Sequence, residues 1–242
     1  MINFIAESTQ LKNIVKSLEL TRKFFVSSLL VGEACIGKKT LARHIMPNAV
    51  LVDGSDLQNI HDALQNNDEI IIYNFEKISN YTTLNFDNKR VIATSLYLPK
   101  DKAVDELFGY IYEIAPLRER LEDAKVLADI FVQKAKELLS IEADITLDPQ
   151  KFDLSQNSRS LKRFVYKNLI LSQMDEGDIE EMMFDFFIKN LKGNNDYKKF
   201  LHLYEKPLIE AGLRQYKSQL KLAGILGINR NTLRKKVNEY GL

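Results

Sequence analysis

Two stretches of this chain combine residue types and spacings that could do chemistry. The first is Gly32-Glu33-Ala34-Cys35-Ile36-Gly37-Lys38-Lys39, with Thr40 next. It follows an apolar run and opens a helical pattern. In that setting backbone N–H groups and a helix N-terminus can surround a phosphate, with the Lys38 ammonium at the β/γ charge. Gly32, Gly37, Lys38, Lys39 and Thr40 are therefore candidate ligands of ATP or ADP. The hydroxyl that would hold Mg²⁺ belongs at position 39, where this chain has lysine, although Thr40 lies beside it.

The second stretch runs from Tyr216 to Leu242. Leu220, Ala223, Ile225 and Leu226 give its first segment an apolar face. Gly227 can take the positive φ that ends a helix, and Asn229 is a good N-cap for a second one. Leu233 and Val237, four apart, face inward and leave Arg230, Asn231, Arg234, Lys235 and Lys236 outside. The pattern predicts a helix-turn-helix with its recognition helix over 230–239 and double-stranded DNA as partner. A merely solvated basic helix would need neither the cap, the turn nor the core spacing.

These candidates require a scaffold. Residues 8–23 form an amphipathic helix pattern through Leu11, Ile14, Val15, Leu18 and Leu20, and Phe24–Val31 predicts a buried strand ending at Gly32. A helix over Lys38–Ile45 follows, then short apolar runs at 49–52, 70–73 and 91–93 that predict strands. Strands alternating with helices imply a parallel α/β sheet. From Pro116 to about Leu171 the spacing is helical, as it is again over 174–192. There Met182, Met183, Phe184, Phe186 and Phe187 are expected to form core. The polar run Lys192–Asp196 is the best linker. The expected organisation is an α/β part over 1–115, a helical part over 116–192 and a basic helix-turn-helix domain over 196–242.

A chain of 242 residues with 45% hydrophobic content can bury one large core or two modest ones. Its net charge of +1 conceals an asymmetry. Residues 196–242 hold ten Lys/Arg against four Asp/Glu, and the rest of the chain carries a balance of −5. Nucleic-acid affinity is thus expected at one end. A single cysteine excludes an internal disulfide framework and fits a reducing cytoplasm. No apolar run long enough for a membrane span and no signal-type core is present, so a cytoplasmic protein without membrane contact is expected. His44, His61 and His202 lack ligand spacing, which argues against a metal site, and Cys35 is expected to be a packed residue.

Gly227–Leu242 resembles the C-terminal DNA-binding domain of the Fis type, shared with the NtrC-like bacterial enhancer-binding proteins. Tyr204-Glu205-Lys206-Pro207-Leu208-Ile209 resembles the start of the helix through which that family dimerises. The rest of the chain resembles the family's AAA+ domain: Gly32–Lys39 its Walker A loop, Pro116–Asp123 its PLRERxED segment, and Asn157-Ser158-Arg159-Ser160-Leu161 its sensor II element, which makes Arg159 a nucleotide ligand. The resemblance begins almost at Met1, so no receiver domain is expected. It implies an α/β plus all-α chain comprising a degenerate AAA+ P-loop-like parallel sheet, a helical lid and a Fis-type helix-turn-helix. It also implies a homodimer through residues around 200–214. Asn229, Arg230, Thr232, Arg234 and Lys235 then contact DNA, Arg230 being best suited to a guanine edge; Thr232, Arg234, Lys235 and Lys236 are suited to phosphates.

Departures from the family pattern bear on function. The Walker B strand should end in Asp-Glu, but Ile70-Ile71-Ile72-Tyr73 is followed by Asn74-Phe75; Glu76 comes one residue late and is expected on the other side of the chain. Ser95 stands where sensor I has Asn. Neither Val104 nor Tyr110, near the arginine-finger positions, is basic, and the GAFTGA loop that grips sigma-54 is absent. A phosphoryl-transfer site needs a carboxylate and a cation for its charge, so neither catalytic residues nor ATP hydrolysis are expected. The leading expectation is a sequence-specific transcriptional regulator that acts on promoter DNA alone or with RNA polymerase or a related regulator. The alternatives are a divergent nucleotide-binding AAA+ ATPase and a non-catalytic partner of a sigma-54 activator.

Overall fold

The computed structural model describes residues 4–140 and 145–242. These fall into two compact units, 1–173 and 174–242. The second unit takes in the helix around residue 183 as well as the basic segment 196–242.

In the first unit, helix α1 (Thr9–Leu20) precedes strand β1 (Ser28–Val31), α2 (Lys38–Ile45), β2 (Val50–Asp53), α3 (Leu57–Asn66), β3 (Glu69–Tyr73), β4 (Arg90–Ser95), α4 (Lys102–Leu107) and β5 (Tyr110–Glu113). The five strands form one sheet in the order β2-β3-β4-β1-β5, with every pairing parallel. Side-chain alternation divides the strands between two cores. Leu29, Val31, Ile70, Ile72, Val91 and Ala93 join α3 and Phe75 on one face, while Leu30, Ile71 and Ile92 join α1 and α2 on the other. Burial on both faces explains why these strands appear as unbroken apolar runs. The carboxyl ends of β1, β3 and β4 bring Val31, Tyr73 and Ser95 to one edge, where parallel sheets bind ligands.

Two expectations are corrected here. The predicted strand over 24–31 begins only at Ser28, because Thr21–Phe24 forms a 3₁₀ turn and Phe25 takes φ 51°. Phe24 and Phe25 are exposed instead of buried. Strand β5 was not among the predicted elements; four residues with only one partly buried offer too weak a period to detect.

Helices α5 (Leu121–Leu139) and α6 (Ser158–Gln173) pack through Ala124, Ala128, Val132, Leu161 and Val165. The predicted helical run also crosses residues 141–144, which lie outside the described residues. A buried ion pair fixes α5 to the sheet. The Arg120 guanidinium donates to Asp123 (2.9 Å), to the Ala115 carbonyl (2.8 Å) and to the Ile36 carbonyl (3.2 Å). Asp123 in turn accepts from the Glu7 and Ser8 backbone N–H groups (2.6 and 3.0 Å) and the Ser8 hydroxyl (2.7 Å).

The second unit contains α7 (Glu176–Asn190), α8 (Asp196–Phe200), α9 (His202–Tyr216), α10 (Gln219–Leu226) and α11 (Arg230–Tyr240). No residue of α7 is buried; Met182, Phe184 and Phe186 are 55%, 63% and 42% exposed. The expected core role of this cluster therefore fails: helical spacing reveals an apolar face but not what covers it. The predicted linker is a turn held by Asp196, whose carboxylate accepts from the Lys192 and Gly193 N–H groups at 2.8 and 3.1 Å.

Burial alone would raise the Asp123 pKa, but the bonds from Ser8 and Glu7 and the Arg120 charge outweigh it and hold it below the ordinary value. Its contribution to stability is therefore complete above the unfolded carboxylate range, near pH 4, and is lost as pH falls through the lower folded value. Replacing Asp123 by Ala strands a buried guanidinium and should cost about 3–5 kcal/mol. A thermal melt of the full chain at neutral pH checks this.

Candidate nucleic-acid interface and nucleotide cleft

In the second unit, α9, α10 and α11 enclose a small core of Ile209, Leu222, Ala223, Leu233 and Val237. Ser218 caps α10, its hydroxyl accepting from Lys221 N–H at 3.3 Å. Gly227 ends that helix at φ 65°, and Asn229 caps α11, its side-chain oxygen accepting from Asn231 N–H at 2.8 Å. Leu233 and Val237 point inward as expected. The apolar face of α10 is rotated from the expected one: Leu222 and Ala223 are buried, whereas Leu220 and Ile225 are exposed. Gly212 was not singled out in the sequence, yet a Cβ there would come within 2.3 Å of Leu222. Its lack of a side chain lets α9 and α10 approach; a helix-interior glycine was the available signal.

Asn229, Arg230, Asn231, Thr232, Arg234 and Lys235 are all exposed on or beside the start of α11. Lys236 is placed differently. Its ammonium lies 2.5 and 2.6 Å from the two carboxylate oxygens of Glu205 on α9, and the Tyr240 hydroxyl donates to the same carboxylate at 2.5 Å. Burial would raise the Glu205 pKa, but these donors hold it below its usual value. The Tyr240 phenol is pushed up to about 12, by its bond to Glu205 first and burial second.

In the first unit, the loop over 32–37 joins β1 to α2 with Gly32 at φ 149° and Gly37 at φ 101°. Cys35 takes φ 60°, the left-handed conformation that disfavours a side chain. The Lys38 ammonium folds back onto the Gly32 and Glu33 carbonyls, at 2.6 and 2.7 Å, and burial lowers its pKa. Lys39, at the position expected to hold Mg²⁺, stacks its ammonium 3.9 Å from the centre of the Tyr73 ring.

The lid holds this loop from the side. Arg118 makes two bonds to Glu33, at 3.0 and 2.7 Å. Asn157 donates to Glu33 at 2.9 Å and to the Ala34 carbonyl at 3.0 Å, and the Ser158 hydroxyl donates to the Cys35 carbonyl at 2.7 Å. Arg118 above all, then Asn157, brings the Glu33 pKa down to about 2. Among the sensor II residues, Asn157 and Ser158 thus reach the loop, whereas Arg159 is exposed and lines neither of the two cavities beside the loop.

One of these cavities, of about 340 Å³, is lined by Lys38, Lys39, Thr40, Tyr73, Asn74, Glu76 and Ser95. Glu76 was expected to face away, and it does not. Asn74 takes φ 54° and the chain coils into a 3₁₀ turn over Phe75–Lys77. Strand alternation therefore stops at Tyr73, and the Glu76 carboxylate turns back into the cleft, accepting from Leu96 N–H at 3.1 Å. Ser95 donates to the Tyr97 carbonyl at 2.5 Å. Val104 is packed in the core and Tyr110 is exposed on β5. A second, more apolar cavity of about 240 Å³ adjoins the loop and is lined by Phe4, Ile5, Ile36, Leu127, Phe131 and Lys134 among others. Backbone donors, Lys38 and this apolar hollow fit the phosphates and base of a nucleotide. The strand end that would hold its metal offers Tyr73 and Asn74 in place of two carboxylates. Among the described residues no cluster of three potential metal ligands occurs, and no helix is long and apolar enough to cross a membrane.

Residues 200–240 match the family described as bacterial regulatory protein, Fis family. A putative Fis-like DNA-binding protein of Ralstonia nicotianae is 40% identical over 62 residues, which cover 24% of this chain and 80% of that protein. The HTH-type transcriptional regulatory protein TyrR of Haemophilus influenzae is 26% identical over 176 residues, 65% of this chain and 55% of its own length. The DNA-binding transcriptional regulator NtrC of Rhizobium meliloti is 29% identical over 172 residues, 53% of this chain and 35% of its own. The chain thus spans about half or less of these two longer relatives. The structure of NtrX from Brucella abortus in complex with ADP superimposes with a TM-score of 0.58 at 15% identity, covering 100% of this chain and 70% of that one.

Because φ 60° at Cys35 strains any residue with a Cβ, Cys35→Gly should raise stability. The gain is set by roughly 1–2 kcal/mol of relieved strain less about 0.5–1 kcal/mol of added unfolded-chain entropy. Comparative thermal melts measure the difference.

Proposed function

The chain belongs to the Fis-type bacterial regulators related to NtrC, and from that membership we propose that it is a sequence-specific DNA-binding transcriptional regulator whose AAA+ domain no longer hydrolyses ATP. The observation that carries this reading is the exposed polar and cationic face of α11, set on a capped helix-turn-helix core. In this reading Arg230 forms paired hydrogen bonds to a guanine edge, for which its planar fork is suited. Thr232, Arg234 and Lys235 hold phosphates. The Asn229 oxygen is spent on the helix cap, which leaves its amide N–H groups for DNA.

We place the protein in the cytoplasm as a homodimer, with two recognition helices entering successive major grooves. Support for a second copy comes from apolar surface in the DNA-binding unit. A hollow of about 430 Å³ is lined by Met183, Phe187, Leu191, Tyr197, Phe200 and Tyr204 among others, and Leu203 and Leu208 on α9 are also exposed. Isologous pairing would bury these faces, which water otherwise contacts.

Support for the loss of hydrolysis is chemical. Strand β3 ends at Tyr73 with Asn74 next, which leaves Glu76 as the single carboxylate among the described residues lining the cleft. Lys39, over Tyr73, stands at the position where the family has its metal-binding hydroxyl. A second reading, nucleotide binding without turnover, is favoured by the apolar cavity beside Lys38. Gly32, Gly37, Lys38 and Thr40 would then hold the phosphates. Without a sigma-54 loop the protein would act by occupying DNA, or through RNA polymerase or a related regulator.

Arg230→Ala should weaken discrimination at one base position by about 1–3 kcal/mol, seen as relaxed selection from a random duplex pool. Footprints of the wild-type chain should show two protected segments centred about one helical turn apart. Phosphate release from ATP by the purified chain should not exceed that of a Lys38→Ala control. Turnover that depends on Lys38 would return the protein to the ATPases.

A further inference from the structure

Resting on the DNA-binding reading above, the geometry points to Glu205 as a positioning residue for the recognition helix, one that binds Lys236 within the chain and withholds its charge from DNA. Lys236 belongs by sequence to the same basic run as Arg234 and Lys235, yet of the three only Lys236 is bound to a carboxylate. Its side chain is 25% exposed and that of Glu205 17%. Tyr240 lies one turn beyond Lys236 on the same face of α11 and gives Glu205 a third short bond. The carboxylate therefore grips α11 at two successive turns and ties it to α9.

The balance of charge favours this arrangement over a phosphate contact. For Lys236 to reach DNA it would have to abandon a shielded carboxylate, leaving that anion beside the negatively charged duplex. Arg230, Arg234 and Lys235 stand exposed and can meet phosphates without that loss. The basic run is affected in two ways: its cationic contacts to DNA come from positions 230, 234 and 235, and the tilt of α11 against α9 is set by Glu205. Since α9 is the proposed dimer helix, the same carboxylate would fix how each recognition helix is presented to its half-site.

The salt dependence of DNA binding separates a positioned lysine from a phosphate-binding one, because each neutralised phosphate adds about 0.9 to the slope of log K against log salt. The full-length chain, its Lys236→Met and Glu205→Gln variants and the double variant are titrated onto a duplex that the wild-type chain has selected from a random pool. Expected is an unchanged slope for Lys236→Met. Glu205→Gln should steepen the slope by about 0.9 per recognition helix as the released ammonium reaches phosphate, and the double variant should return to the wild-type slope. A shallower slope for Lys236→Met, with Glu205→Gln unchanged, would overturn the assignment and make Lys236 an ordinary phosphate contact. The tie itself is read without DNA from the NMR titration of Tyr240. Its ionisation should fall from about 12 toward that of a free phenol in Glu205→Gln, and a Tyr240 insensitive to this change would also overturn the proposal. Failure of the wild-type chain to bind any selected duplex would instead overturn the DNA reading on which the proposal rests.

Discussion

The first unit depends on the ion pair between Arg120 and Asp123. Both side chains are almost wholly withdrawn from water, which would be costly for either charge alone. Each is satisfied several times over, and the partners come from separate parts of the chain: residues 7–8, Ile36 in the phosphate loop, Ala115 beyond β5, and the start of α5. Such a pair adds little net energy compared with an apolar substitute. What it supplies is a tie between segments, joining the start of α5 to residues 7–8, to Ile36 and to Ala115. The position of the phosphate loop relative to α5 is thereby set before any ligand arrives.

Glu33, Arg118, Asn157 and Ser158 extend that restraint to the loop itself. Their bonds are to the Glu33 side chain and to loop carbonyls, so the loop N–H groups are not consumed by the lid. Beside the loop, β3 ends at Tyr73 with Asn74 next, and the Glu76 carboxylate turns into the cleft. Bonds between segments come from Arg118, Arg120 and Asp123 of the Pro116–Asp123 stretch, whereas Lys38 bonds within its own loop, to Gly32 and Glu33.

The fold is largely legible in the sequence because buried parallel strands and capped helices leave strong local marks. Helix Lys38–Ile45, the strand around Ile70–Tyr73, and the Gly227 turn with its Asn229 cap all follow from patterns within a few residues. The failures were decided by longer-range or finer geometry. Strand alternation carried past Asn74 puts Glu76 on the wrong side, because the left-handed φ of Asn74 ends that alternation. The outward faces of α7 and α10 could not be assigned from spacing alone, since an apolar stripe is the same whether a helix is covered or bare. Cys35 is expected from the sequence to be a packed residue, and only the backbone reveals that it adopts the left-handed conformation that favours glycine.

Lys236 illustrates a limit of a different kind. Periodicity places it at the edge of the polar face of α11, and composition counts it with its basic neighbours. Its partner, Glu205, lies 31 residues earlier on a helix whose sequence marks it only as a dimerisation element. A charge run thus states how many cations a helix carries, not how many remain for a ligand. In a domain of ten basic and four acidic residues, one internal pair changes the charge offered to DNA appreciably. Because phosphate contacts contribute in proportion to the cations released to them, the placement of a single glutamate bears on affinity as directly as that of a surface arginine.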